Sequence, residues 1–173
     1  MTRAALLGAG SAIALVGGPL MTQLVEAATG ADVDDLSSLN AQIELERAGI
    51  KAYADAAATG LLDAPLLAVA GRFASDHVAH CEALCAAVFA GGGTPSVQTA
   101  NLVYPELRTR HDVLEFALNV ESKAASTYLS VISDFNDRKL AELVASILGV
   151  ETTHVALLAN ALGQSVYPAA FVG

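Results

Sequence analysis

At 173 residues the chain is long enough for one domain with a full core and too short for two ordinary ones. Its 54% hydrophobic content and mean hydropathy of +0.50 are high, and much of the apolar excess is alanine, which suits closely packed helices. A net charge of −9 argues against nucleic acid as a partner, because that affinity comes largely from Lys and Arg neutralising phosphates. The same charge suits cations, and it serves solubility equally well. Cys81 and Cys85, four apart on an expected helix, are awkwardly spaced for a disulfide and do not form a zinc pattern.

Residues 1–30 stand apart from the rest. One early arginine, Arg3, precedes an apolar run from Ala4 to Val16, then Gly17-Gly18-Pro19, and a Val25-Glu26-Ala27 step that satisfies the small-residue rule for cleavage. This pattern predicts a secretory signal, and hence an exported protein: periplasmic, in the cell envelope or extracellular. The segment resembles the apolar part of twin-arginine export signals but lacks the paired arginines. It is short and glycine-rich for a membrane-spanning helix. If retained, it would act as a tether or packing arm, and membrane association would run through it. The domain proper is then residues 31–173.

Four helices are expected in that domain. From Asp34 to Thr59, Leu36, Leu39, Ile43, Ile50, Tyr53 and Ala57 fall on one stripe with Glu46 in its middle; Glu44 projects from roughly the opposite side. Asp34, Asp35 or Ser37 is the expected cap, and Gly60 the end. Pro65 opens a second helix to about Ala90, with Leu66, Ala70, Phe73, His77, His80, Leu84 and Val88 inward, Cys81 beside them and Asp76 at the edge. Gly91-Gly92-Gly93-Thr94-Pro95 stops it. No periodicity returns until about His111, so the intervening connector reads as a crossover running the length of the molecule. Thr109 with Asp112 forms a capping-box-like start to a third helix, which carries Leu114, Leu118, Glu121, Ala125, Tyr128, Ile132 and Phe135 on one face. After a tight turn around Asn136-Asp137, the fourth carries Leu140, Val144, Ile147, Leu148, Glu151, His154, Val155 and Leu158 inward and ends at Gly163. The tail Tyr167-Pro168-Ala169-Ala170-Phe171 is expected to lie against the bundle.

The two halves repeat each other. Glu46 is followed seven residues later by Tyr53, and Glu121 by Tyr128; His77-x-x-His80 in the second helix matches Glu151-x-x-His154 in the fourth. Residues three apart share a helix face. All six groups would therefore point into an apolar interior, where unpaired polar groups are costly. Two explanations are open: a bound metal ion, or a metal-free network of hydrogen-bonded pairs.

An all-α fold of four helices, two tight connections and one long crossover is the layout of a ferritin-like four-helix bundle, two helix pairs joined by that crossover. The chain resembles the ferritin-like superfamily over roughly residues 34–163, and is most similar to rubrerythrin-like and exported ferritin-like domains. The resemblance rests on Leu45-Glu46 with Tyr53, His77-Val78-Ala79-His80-Cys81-Glu82-Ala83-Leu84, Glu121 with Tyr128, and Glu151-Thr152-Thr153-His154. It implies metal ligation by Glu46 and His80 on one ion and Glu121 and His154 on the other, with Glu151 bridging. His77 departs from the pattern, which has a second bridging Glu there. Three Glu and three His place less negative charge on the ions than four Glu and two His. Iron is implied by the resemblance; the altered donor set also admits manganese, zinc, a mixed or single-metal site, or one that has lost its metal. Asp76 is a candidate substitute carboxylate and Cys81 a minor ligand candidate. Tyr53 and Tyr128 are expected to be core residues with hydroxyl partners.

With iron, the resemblance implies oxidation by dioxygen or peroxide, in metal handling or oxidant defence. The oxidoreductase activity would need an outside reductant, since the chain has no Cys-x-x-Cys pair for a rubredoxin-type domain. The alternative is a non-catalytic structural or self-assembling protein on the same scaffold. A homo-oligomer is expected in either case.

Overall fold

The computed structural model describes residues 31–166. The apolar segment at 1–30 and the tail from Tyr167 to Phe171 lie outside the described residues. Among the described residues there are four long helices and no strand: α1 (Val33–Ala58), α2 (Ala64–Ala90), α3 (Arg110–Val131) and α4 (Arg138–Ala161), with a 3-10 turn at Ile132–Asp134 between the last two.

The helix starts follow local capping chemistry, with one departure from expectation. Asp63 accepts from the Leu66 N–H, with Pro65 in the first turn where no N–H is required. At α3 both halves of the Thr109/Asp112 capping box are present, and Asp137 caps α4. For α1 the cap is Asp32, which accepts from the Asp34 N–H, rather than Asp34, Asp35 or Ser37. Asp35 instead turns inward, only 1% exposed, and accepts from the backbone N–H groups of Asn136 and Asp137, each at 2.9 Å. It ties the start of α1 to the turn between α3 and α4. At the far ends of α1 and α4, Gly60 (φ 70°) and Gly163 (φ 71°) take the left-handed conformation in which glycine has no Cβ penalty.

α1 packs chiefly on α2 and α3 on α4, as expected for two helix pairs, and the pairs meet mainly through α1 and α3. The crossover runs along α1. Asn40 holds Thr94 O and Ser96 N, Glu44 accepts from the Ser96 hydroxyl at 2.7 Å and from the Ala100 N–H at 3.0 Å, and Lys51 sits over the Tyr104 ring. Leu102 and Leu107 then pack against Ala52, Phe116 and Val120. Glu44, on the far side of α1 from Glu46, thus anchors the crossover.

The core is divided. One apolar cluster, including Leu39, Ile43, Leu84, Leu140, Val144 and Ile147, fills one end of the bundle. A second, built from Tyr53, Ala70, Phe73, Leu114, Ala117 and Leu158, fills the other. Between them, near the middle of every helix, lies a layer of charged side chains. By length and composition α4 could cross a membrane, but Leu140, Leu143, Val144 and Ile147 are buried in the bundle, the place of a core helix.

Because Asp35 satisfies two backbone donors over a hundred residues away, Asp35→Ala is expected to destabilise the protein by about 1–3 kcal/mol. The measurement is the denaturation midpoint at unchanged denaturant slope; a loss below about 0.5 kcal/mol would place the turn's stability elsewhere.

Candidate metal centre

The middle layer contains Glu46 from α1, His77 and His80 from α2, Glu121 from α3, and Glu151 and His154 from α4, all six buried. Each comes from the mid-helix position on the inward stripe, where the 3.6-residue period places it level with its neighbours. Two overlapping groups result: Glu46, His77, His80 and Glu151; and His77, Glu121, Glu151 and His154. Within each group the donor atoms lie no more than 4.8 Å apart. His77 and Glu151 belong to both.

The two oxygens of Glu151 face opposite ways. Oε1 is 3.0 Å from His80 Nδ1 and 3.8 Å from His77 Nδ1; Oε2 is 3.5 Å from His154 Nδ1. Glu46 Oε2 lies 2.7 Å from His77 Nδ1 and 3.6 Å from His80 Nδ1. Glu121 Oε1 is 3.3 Å from His77 Nε2, and its Oε2 is 3.4 Å from His154 Nδ1. Donor atoms that share an ion at about 2.0–2.2 Å lie roughly 3–3.5 Å from one another. Most of these separations fall near that range. Few of the contacts are directed hydrogen bonds: His80 Nδ1, His154 Nδ1, Glu121 Oε2 and both oxygens of Glu151 are buried without a hydrogen-bond partner. Buried orphans of this kind are rare in native structures and call for an explanation such as an ion. The residues present therefore fit a metal.

The surrounding contacts orient these side chains. The tyrosine hydroxyls cross between halves: Tyr53 donates to Glu121 and Tyr128 to Glu46. Burial, reinforced by those carboxylates, holds both phenols well above their ordinary pKa, so they remain donors. Phe73 stacks on the His154 ring with centroids 3.8 Å apart. Asp76 does not enter the layer as a substitute carboxylate. Arg72, one turn earlier on the same helix, holds it by an ion pair of 2.9 Å, and its Oδ2 lies 3.3 Å from His154 Nε2, the nitrogen facing away from the layer. A carboxylate there fixes the ring's orientation and tautomer. Cys81 lies outside both donor groups; burial above all, then Cys85, pushes its thiol up to about 11, which keeps it a small inert core residue.

Gly49, three residues after Glu46 on α1, is the contributor that sequence reasoning missed. A Cβ at this position would lie 2.9 Å from both Cε1 and Nδ1 of His77. Its only signal is an interior helical glycine, at a cost of about 1 kcal/mol relative to alanine.

Without metal, the imidazoles balance the carboxylates. Burial alone would lower the His77 pKa, but Glu121 and Glu46 outweigh it and raise it to about 11. Burial is likewise overcome at His80 by Glu151 and Glu46, and at His154 by Glu121 and Glu151, leaving each at about 9. Glu46 and Glu121 are lowered despite their burial, by the histidines beside them. Glu151 is raised, chiefly by burial.

The sequence matches the ferritin-like domain family over residues 34–164. No curated protein matches it. Among solved structures, BfrA from Mycobacterium tuberculosis superposes with a TM-score of 0.70 at 22% identity, covering 76% of this chain and 84% of that one. A conserved hypothetical protein from the same organism gives 0.68 at 17%, covering 80% and 96%. These likenesses show the fold. An all-helical bundle with a buried carboxylate and histidine layer compatible with metal is the class of protein these features define. The chain belongs to the ferritin-like domain family.

The raised histidines set the pH behaviour of the metal-free protein. Their stabilising contribution is complete below the unfolded histidine pKa of about 6.5 and is lost as pH rises through about 9 for His80 and His154. The lowered Glu46 and Glu121 contribute above the unfolded carboxylate value and lose that contribution as pH falls through their folded values. Thermal melts after chelation should therefore peak in Tm around pH 5–6.5, with a decline through about pH 9. Added metal, which binds deprotonated ligands, should flatten the alkaline decline.

Proposed function

We propose that the layer holds two transition-metal ions, one bound by Glu46 and His80, the other by Glu121 and His154, with His77 and Glu151 in the space between. The observation that carries this reading is the set of five buried donor atoms without partners, on three helices, converging on one another. Iron is the leading cation. Manganese and zinc are the alternatives, because imidazole is a good ligand for several divalent metals and the set holds only three carboxylates. With iron bound, such a centre supplies oxidation by dioxygen or peroxide. The chain's own residues orient the ligands and exclude water, and electrons come from an outside reductant. The role this supports is metal handling or oxidant defence, in an exported homo-oligomer whose export signal is residues 1–30.

A second reading, a scaffold that keeps the layer without metal, is favoured by one observation. His77 already reaches Glu46 at 2.7 Å and Glu121 at 3.3 Å, and so gives both carboxylates a partner without an ion.

Elemental analysis of protein purified without added metal separates the two. The metal reading expects about two equivalents per chain and a fall in Tm with chelator, since an ion bound only by the folded state stabilises it. Less than about half an equivalent, with stability unchanged by chelator, would leave only the scaffold. Glu151→Gln should weaken both ions by more than the roughly 10–100-fold typical of losing an outer-shell partner. Glu115→Gln, on the exposed face of α3, should leave them unchanged.

A further inference from the structure

Histidine at position 77 stands at the centre of the layer, and its two ring nitrogens face different halves of it. Nδ1 is 2.7 Å from Glu46 Oε2 and 3.8 Å from Glu151 Oε1, within the group that also contains His80. Nε2 is 3.3 Å from Glu121 Oε1, within the group that contains His154. Glu151 spans the same gap from the other side, Oε1 toward His80 and Oε2 toward His154. We propose that His77 is a bridging ligand: its ring joins the two ions, Nδ1 to the one held by Glu46 and His80, Nε2 to the one held by Glu121 and His154. This rests on the two-ion reading above and adds to it the identity of the bridge.

Three features support the assignment. The ring lies level with the gap between the two donor groups, at centroid distances of 6.1 Å from His80 and 5.9 Å from His154. Each ion then has two nitrogens and two carboxylates, His77 and His80 with Glu46 and Glu151, or His77 and His154 with Glu121 and Glu151, the same donor set on both sides of the repeat. Finally, α1 is built for the ring. Gly49 leaves open the space against Cε1 and Nδ1 that any side chain would fill. A helix interior pays for glycine in stability, so the space has a use in holding the imidazole at this angle.

The proton balance is simple. In the metal-free layer the ring's N–H groups point at Glu46 and Glu121. Each ion that binds displaces the proton on the nitrogen it takes, and the proton passes to solvent; no oxidant or reductant is involved.

A ring bridge and a carboxylate bridge differ in length. Metal–nitrogen bonds of about 2.0–2.1 Å on either side of an imidazole put the ions roughly 6 Å apart. Close two-metal sites hold them at about 3.5–4 Å; at the longer spacing Glu151 gives one oxygen to each ion from opposite ends of its carboxylate. The full chain is loaded with Cu(II) as probe, and the metal–metal separation is read by X-ray absorption or by anomalous diffraction. Electron paramagnetic resonance follows the titration. The expected result is two Cu(II) per chain roughly 6 Å apart, with the signal at two equivalents falling well below twice that at one, because the ring couples the spins. His77→Glu should shorten the separation to about 3.5–4 Å. His77→Gln should cut the coupling to the weak remainder that Glu151 carries. Gly49→Ala keeps every donor and displaces only the ring, and should weaken the second ion at least tenfold, which keeps the test open if His77→Gln does not fold. A wild-type separation of about 3.5–4 Å, or saturation at one ion, overturns the bridge while leaving a metal centre in place. If neither wild type nor His77→Glu binds metal, the two-ion reading fails along with it.

Discussion

Three carboxylates, Glu46, Glu121 and Glu151, are buried at one level of a bundle whose two ends are apolar. Charges in such surroundings persist only where opposite charge lies within a few ångströms, since desolvation of each ion costs several kcal/mol. Every other feature of the middle of the molecule answers to that constraint. Three imidazoles sit among the carboxylates, and two tyrosine hydroxyls donate to Glu46 and Glu121. The helices are thereby fixed in rotation and in register, because a shift of one residue would carry a charged group into one of the apolar clusters. The repeat between the halves is the trace of the same constraint: each helix pair contributes one Glu with a Tyr two turns on, and one pair of donors three apart.

The ties outside the layer keep the pairs in that register. Asp35 connects the start of α1 to the turn that begins α4, and the crossover is fastened to the outer face of α1 at Asn40, Glu44 and Lys51. α1 is thus held from three sides, by α2, α3 and the crossover, and it is the helix on which Gly49 brings backbone against the His77 ring. A close approach of this kind is sensitive to small sliding motions, so the anchoring of α1 and the position of His77 are parts of one arrangement.

Much of this was legible in the sequence. Helix period, turn chemistry and the internal repeat place the four helices and bring the six ionisable residues to one level, because amphipathic spacing over more than twenty residues leaves little freedom in which side faces inward. What was not legible depends on direction and distance. Asp34, Asp35 and Asp32 are equivalent as local capping signals; only the distant turn at Asn136 decides that Asp35 is used there and Asp32 caps the helix. Asp76 is one residue from His77 and reads as a candidate ligand, yet Arg72 one turn earlier draws it to the outer nitrogen of His154. Gly49 carries no chemistry of its own, and its importance appears only when another helix is placed against it.

His77 shows the difference most clearly. Counted as a donor, it is a Glu replaced by a weaker partner, and the layer looks one carboxylate short. Placed in the structure, it has a carboxylate at each end of its ring, and α1 gives up a side chain to admit it. A decayed site would be expected to lose its supporting contacts first, since nothing maintains them; here Tyr53, Tyr128, Phe73 and Asp76 all still contact the buried carboxylates and imidazoles. The surroundings of His77 are therefore those of an ordered polar site, with its supporting contacts intact. An imidazole bridge would space the ions further apart than a carboxylate, and with both ring protons displaced it would carry the same single negative charge. The wider spacing alone would then shift the chemistry of such a pair toward binding and one-electron exchange at separate ions, and away from concerted two-electron work on a single oxidant.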